Sequence, residues 1–280
     1  MIDVPAGWHA ALKAVEAGAT RLLVVGGPDA GKSTFCRWLY GAAAARGFSP
    51  ALLDADPGQP DVGPPAYLAR TEGENAPTLA FLGVVDPMSR RRPLLDNARA
   101  LAERPAHPLI VNTCGFIRGA GRFLQRDTAR AVGADLALAL EPEDTLAPLR
   151  EALAPLPLLA LPRSDCVRRR SQARRRATRA AAFATSFEQA SVLEVAREGL
   201  TLEDCGAGTV DPNRLPPRLL CGVADAAGRD VALALFLEAT DAAVRLLTPA
   251  AEVARLRLGG MVVERSRPGS RKNPSLSLSR

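Results

Sequence analysis

Residues 26–33 read G-G-P-D-A-G-K-S, directly after the apolar run R-L-L-V-V and directly before S-T-F-C-R-W-L-Y-G-A-A-A-A. This is the pattern G-x-x-x-x-G-K-[ST] set between a strand and a helix, and few sequence features constrain a fold as tightly. Glycines let such a loop turn its backbone N–H groups toward phosphate oxygens, and the following helix adds the positive end of its dipole. Lys32 can reach the β- and γ-phosphates and the Ser33 hydroxyl can ligate a metal ion. The stretch Gly27, Pro28, Asp29, Ala30, Gly31, Lys32, Ser33 and Thr34 is therefore the expected nucleoside-triphosphate contact. A chance Gly-rich turn would not carry both flanking elements.

A loop of this kind works at the carboxyl edge of a parallel sheet, and the chain has the matching texture. Short apolar runs (Arg21–Val25, Pro50–Asp54, Thr78–Val85, Leu109–Asn112, Asp135–Leu140, Leu156–Leu161) alternate with Ala-rich helical stretches (Ser33–Arg46, Asp96–Glu103, Arg122–Val132). Continuous apolar strands such as L-L-V-V suit a doubly covered parallel sheet. The expected class is α/β, a doubly wound parallel sheet. Val167–Ala190 contains no Gly or Pro and reads as one long helix. From about residue 192 to 263 the texture becomes strand and turn, with D-A-A-G-R at 225–229 as a hairpin, so a small β-rich subdomain is expected at 191–264 after a first domain spanning 1–190. The Ser-, Pro- and Arg-biased tail 265–280 is expected to be disordered and basic.

Composition bounds the function. With 47% hydrophobic and 24% charged residues in 280, the chain can bury a real core. No apolar run approaches the roughly 18 residues of a membrane helix. The start has no basic-then-apolar leader, and five cysteines without a C-x-x-C pair argue against a disulfide framework and a thiolate zinc site, so a cytoplasmic protein with reduced thiols is expected. Only His9 and His107 are available for histidine chemistry.

Charge is concentrated in one place. Of 36 basic residues only Lys13, Lys32 and Lys272 are lysines, and residues 163–179 (R-S-D-C-V-R-R-R-S-Q-A-R-R-R-A-T-R) hold eight arginines against one aspartate. That segment carries the whole net charge of +6. Arg175 and Arg179, four apart, share one helix face that Arg168 and Gln172 would continue. An arginine fork bridges two phosphate oxygens, so this stripe suits a transferring phosphoryl group, while Arg169, Arg174 and Arg176 suit steering of a polyanion. A merely solvated basic helix would normally intersperse signs.

A second acidic feature completes the chemistry. Leu52–Gln59 reads L-L-D-A-D-P-G-Q, which brings Asp54 and Asp56 to the carboxyl edge beside the loop. One carboxylate can serve a metal and its waters while the other accepts a proton from an attacking hydroxyl. L-I-V-N is followed by T-C-G-F, so Thr113 and Phe116 emerge at the same edge, where an aromatic can stack on a base and a threonine can orient an acceptor.

Taken together these motifs resemble the polynucleotide 5′-hydroxyl kinases, the group that includes the RNA kinase subunit of the pre-mRNA cleavage complex and the nucleolar pre-rRNA kinase. D-A-D-P-G-Q at 54–59 resembles the family's D-x-G-Q signature, and N-T-C-G-F at 112–116 its N-T-x-G-W clasp. F-L-G at 81–83 before Asp86-Pro87 resembles its G-x-x-S-P segment, and Arg170, Arg175 and Arg179, followed by Phe183 and Phe187, match its arginine-bearing lid at about 163–190. The resemblance spans about 21–263 and implies a P-loop NTPase fold, ATP as phosphate donor, Mg²⁺, and the 5′-hydroxyl end of RNA or DNA as acceptor. It further implies Lys32, Asp56, Arg170, Arg175 and Arg179 as catalytic residues and Ser33, Asp54 and Asp56 as metal ligands. Gln59, Thr113, Phe116 and Arg118 are implied as acceptor contacts.

Departures are Phe116 for the family's tryptophan, Asp86 for its serine, and about twenty residues before the first strand in place of a separate N-terminal domain, as expected of a compact bacterial-like member. No membrane and no obligate protein partner are expected. Alternatives are a non-catalytic ATP-bound RNA-processing scaffold and a small-molecule kinase on the same fold. A GTPase lacks support, because no strand end carries N-K-x-D.

Overall fold

The computed structural model describes residues 3–204, 211–264 and 277–279, and the chain divides into two compact units. The first comprises Met1–Gly63, Leu68–Thr78 and Asp86–Arg170, and the second Pro64–Tyr67, Leu79–Val85 and Ser171–Arg280.

The first unit opens with helix α1 (His9–Glu16), then strand β1 (Arg21–Val25), α2 (Lys32–Ala44) and β2 (Ala51–Ala55). It continues with β3 (Tyr67–Thr71), the start of β4 (Thr78–Phe81), α3 (Arg91–Ala102), β5 (Leu109–Thr113), α4 (Gly121–Val132), β6 (Leu136–Ala139), α5 (Ala147–Leu153) and β7 (Leu158–Ala160). Strand order is β3-β2-β5-β1-β6-β7, with β2, β5, β1, β6 and β7 parallel and β3 antiparallel to β2. The central strands read almost wholly buried because helices cover them: Leu22, Leu23, Val24 and Val25 are all 0% exposed. Successive strands go to opposite sides of β1, so the carboxyl end of β1 is the switch point where an open α/β sheet leaves a crevice. The core between β1, α1 and α2 is built on Trp8, Leu12, Val15, Phe35 and Leu39. Trp8 meets the Phe35 ring edge-on at 5.0 Å and its indole N–H donates to the Pro162 carbonyl at 2.8 Å.

The second unit holds α6 (Gln172–Ser186), β8 (Ser191–Ala196), β9 (Thr201–Asp204), β10 (Leu219–Ala224), β11 (Asp230–Ala239), β12 (Ala243–Thr248), β13 (Arg255–Glu264) and β14 (Ser277–Ser279). β10 lies antiparallel between β11 and β13, β12 joins β11 to β8, and β13 also pairs with β9 and β14. The period of two assigns residues to opposite faces. Leu220, Leu235 and Val263 pack with Phe183 of α6, while Cys221, Val223 and Leu256 form a second cluster. The 225–229 turn forms the expected hairpin, Asp225 accepting from the Arg229 amide at 2.9 Å.

The basic helix begins at Gln172 rather than 167 and ends at Ser186, because Ser171 caps it by accepting from the Arg174 amide at 3.1 Å, and the residues before it take an extended path. This helix falls in the second unit, where Phe183 is buried in the core, and that unit also takes in Pro64–Tyr67 and Leu79–Val85. The expected disordered tail lies largely outside the described residues, although Ser277–Ser279 within it forms β14, as the alternation S-L-S allows. Among the described residues no helix is long and apolar enough to cross a membrane, and Cys36, Cys114, Cys166 and Cys221 are free thiols.

Candidate active site

The loop 26–33 leaves β1 and enters α2 at the switch point. Gly31 sits at the helix N-cap with φ of +90°, a conformation a Cβ would strain, and this lets the amides after it turn inward. Asp29 also has positive φ, +59°, which costs a non-glycine residue about 1–3 kcal/mol. Its carboxylate offsets that cost by accepting from the Arg170 amide at 2.9 Å and from Arg170 Nε at 3.0 Å. Lys32 is 8% exposed and donates to the Gly26 and Gly27 carbonyls at 2.9 and 3.0 Å. Burial lowers its pKa, and Asp56 is the foremost charge opposing that shift. Asp56, just past the end of β2, is therefore the acidic charge that acts most on the ammonium a P-loop aims at phosphate.

The two carboxylates differ in their work. Asp54 is 1% exposed; Oδ1 accepts from the Asp56 amide at 3.2 Å, and Oδ2 accepts from the Val62 amide at 3.1 Å and from the Asp61 amide. Burial, followed by the charge of Asp56, pushes its pKa up to about 7 despite those amide bonds. Asp54 is thus the anchor that shapes residues 56–62. Asp56 is only half-buried, and its Oδ1 accepts from the Gly58 and Gln59 amides at 3.1 Å each. Asn112, from β5, spans the two halves of the site: its Nδ2 lies 3.3 Å from Ser33 Oγ and 3.1 Å from Asp54 Oδ1.

Gln59 lies half-buried in the same loop, its Nε2 donating to the Gly58 carbonyl at 2.9 Å. The clasp 112–116 lies against the phosphate loop. A Cβ on Gly115 would meet the Pro28 nitrogen at 2.8 Å and Cα at 3.0 Å, so only glycine permits the approach. Gly115→Ala is accordingly expected to push the two loops apart and weaken nucleoside-triphosphate binding by about tenfold or more, roughly the 1–3 kcal/mol of overpacking. Titration of the variant with a fluorescent ATP analogue checks this, and wild-type affinity would refute the close-contact role.

Phe116 is 46% exposed, while its carbonyl accepts from Gln125 Nε2 of α4 at 2.9 Å, so the loop is held and the ring presented. Arg118 is exposed beside it. Thr113 differs from expectation: it is buried and its hydroxyl donates to the Val24 carbonyl at 2.8 Å, tying β5 to β1 instead of facing an acceptor. Arg168 does not continue the helical stripe, because it precedes the helix and donates to the Asp165 carbonyl at 2.9 Å. Arg170 is likewise outside the helix, on Asp29. Arg175 and Arg179 stand on α6, half-buried where Arg174 and Arg176 are exposed, on one face with Phe183 and Phe187.

Sequence reasoning passed over Glu141. Buried at 6% exposure, it accepts from the Gly27 amide and its Oε2 pairs with Arg163 Nη2 at 2.6 Å. The carboxylate thereby fixes the first turn of the loop. The available signal was position: Glu141 follows the apolar run L-A-L-A-L, at the carboxyl edge of the strand next to β1.

A phosphate loop at the switch point, a lysine within it, and an acidic pair at the carboxyl end of β2, beyond β5, define a P-loop nucleotide-binding protein. The family model for the mRNA cleavage and polyadenylation factor CLP1 P-loop matches residues 26–189, and the chain belongs to this family. It is 28% identical over 195 residues to the polyribonucleotide 5′-hydroxyl-kinase PF0112 of Pyrococcus furiosus, covering 65% of this chain and 55% of that protein. It is 31% identical over 185 residues to the polyribonucleotide 5′-hydroxyl-kinase Clp1 of Xenopus laevis, covering 57% and 42%. The chain thus spans about half the length of the curated relatives it matches. The fold is also that of Clp1p in the solved wild-type Clp1p–Pcf11p (454–563) complex, at a TM-score of 0.71 and 16% identity over 91% of this chain and 78% of that one.

Proposed function

We propose that the protein is an ATP-dependent polynucleotide 5′-hydroxyl kinase. The observation that carries this reading is the half-buried Asp56 just past the carboxyl end of β2, near enough to Lys32 to be the foremost charge opposing the burial that lowers the lysine's pKa. A nucleotide-binding scaffold has no use for a carboxylate so placed, and two kinase-named relatives support the same chemistry.

In this mechanism the loop amides and Lys32 hold the triphosphate of ATP, with Glu141 and Arg170 bracing the loop through Gly27 and Asp29. The acceptor lies with its first base on Phe116, within reach of Gln59 and Arg118. Asp56 takes the proton of the 5′-hydroxyl as that oxygen bonds to the γ-phosphorus. The bond from the γ-phosphorus to the β,γ-bridging oxygen breaks in line, and ADP leaves. Arg175 and Arg179 supply cationic forks for the charge spread over the moving group.

The residues present suit a divalent cation of the Mg²⁺ type. Among the described residues no three His, Cys, Asp or Glu side chains form a cage, and Mg²⁺ typically takes one or two protein oxygens and completes its shell with water and phosphate. Ser33 with Asp54 or Asp56 provides such oxygens, and Asn112 Oδ1 beside them is buried without a hydrogen-bond partner. When bound, the ion would neutralise charge on the β- and γ-phosphates.

The test is transfer of label from γ-labelled ATP to matched 5′-hydroxyl RNA and DNA oligonucleotides, with and without a chelator. Metal-dependent labelling is expected; a folded, ATP-binding protein that labels neither acceptor would leave the scaffold reading in place. Labelling of small alcohols but not oligonucleotides would instead favour a small-molecule kinase.

A further inference from the structure

Few large hydrophobic side chains stand exposed among the described residues, and only two of them are aromatic: Phe116 at 46% and Phe123 at 37%. They are seven residues apart, and one element serves both. Helix α4 carries Phe123 in its first turn, while its Gln125 holds the Phe116 carbonyl and its Gly121 lies so close to Phe116 that a Cβ there would meet the Phe116 carbonyl carbon at 2.7 Å.

Guanidinium groups lie over the Phe123 ring, so a base would stack on this aromatic–guanidinium assembly. The Arg122 guanidinium lies 4.9 Å from the ring centroid and that of Arg126 lies 5.1 Å away. Arg126 Nε also donates to Asp127 at 2.9 Å, and Asp127 is further paired with Arg91. Arg118 stands exposed two residues after Phe116. Arg118 and Arg122, which lie between the aromatics in sequence, line a cavity of about 320 Å³ with Ile117, Glu141, Thr145 and Leu146, and Glu141 is paired with Arg163. Exposed aromatics interleaved with arginines are the arrangement that single-stranded nucleic acid uses, bases stacking on rings while phosphates meet cations.

We propose that Phe123, flanked by Arg122 and Arg126, is a second base-stacking platform that grips the acceptor strand downstream of the nucleotide on Phe116. The proposal rests on the polynucleotide kinase reading. It implies a minimum acceptor length, because a strand must pass Phe116 before it can reach Phe123. It also implies indifference to base identity, since every base offers a π-face.

The experiment measures KM for a nucleoside 3′-phosphate, a dinucleotide, a trinucleotide and a decamer, each bearing a 5′-hydroxyl, with saturating ATP. Wild type is expected to show a KM that drops once the acceptor is long enough to reach Phe123. Phe123→Ala should raise KM for the decamer by about 5- to 150-fold, the loss expected for one stacked base, and compress the ratio between the shortest and longest acceptors by the same factor. Phe123→Tyr, which keeps the ring, should restore most of the length dependence, and this separates stacking from a folding defect. Arg122→Ala should lower the slope of binding against log salt by about 1.

Unchanged length dependence in a folded Phe123→Ala would overturn the proposal, including the case where the patch serves a protein partner instead. If wild type transfers no phosphate to any acceptor, the kinase reading fails, yet fluorescence anisotropy with the labelled decamer still decides the platform. A matching loss of decamer affinity in Phe123→Ala supports it, and equal affinity refutes it.

Discussion

Asp56→Asn is expected to reduce the rate of phosphoryl transfer by about 100- to 10,000-fold, the range for removing a positioned general base, while ATP binding persists. The substitution is nearly isosteric, and an amide oxygen can still accept from the Gly58 and Gln59 amides that Oδ1 now holds at 3.1 Å, so the loop should keep its path. What is lost is the basic oxygen beside Lys32. The sign of a secondary effect follows from the same geometry. Burial lowers the Lys32 pKa and Asp56 opposes this, so removing the carboxylate lowers it further. ATP affinity of the variant should therefore begin to fall at a lower pH than that of wild type. Single-turnover transfer beside nucleotide titration separates the two quantities. A variant that retains transfer within a few-fold of wild type would remove Asp56 from the role of base.

The second large effect is expected from Arg175 and Arg179. Replacing both with alanine should lower kcat by about 1,000-fold or more, the scale of a transition-state arginine, with a much smaller change in ATP affinity. The reason is chemical: an arginine fork can bridge two oxygens of a transferring phosphoryl group. These two arginines are half-buried on the face that runs into Phe183, whereas Arg174 and Arg176 are exposed. The first turn of α6 carries Arg174 and Arg175 and no acid, against the helix dipole at about 0.3–1 kcal/mol each. A helix selected only for stability would place aspartate or glutamate there. Lysine replacements should recover only part of the rate, because a point charge cannot bridge two phosphate oxygens. Circular dichroism of each variant controls for folding. Equal kcat in the alanine double variant would reduce the segment to an electrostatic arm.

Much of the fold was legible because its signals are local. The phosphate loop, the apolar strands and the hairpin turn each depend on residue types within a few positions, and strand and helix bounds mostly shift by one to three residues at their ends. The antiparallel strand β3, with Tyr67 and Arg70, escaped because a buried Arg70 breaks the apolar pattern. Its guanidinium donates to the distant carbonyls of Leu101 at 2.6 Å and Arg104 at 2.9 Å and also pairs with Glu72 at 2.7 Å. The start of the basic helix was misread for a related reason. Arg-rich residues 167–171 have the propensity to continue the helix, but the Arg170 amide is taken by Asp29, some 140 positions earlier in the chain.

The sequence alone determined the phosphate loop, its lysine, the acidic pair and the concentration of arginine, because spacing within one loop or helix suffices to bring those groups together. Only the tertiary structure decided the division of labour among them. Asp54 became an anchor because three backbone amides converge on it, and Thr113 turned into the sheet because Val24 offers a carbonyl there. Glu141 entered the site from a strand more than a hundred residues away. Hydrogen-bond demand inside a packed sheet is met by whichever group lies nearest in space, and chain order does not encode that.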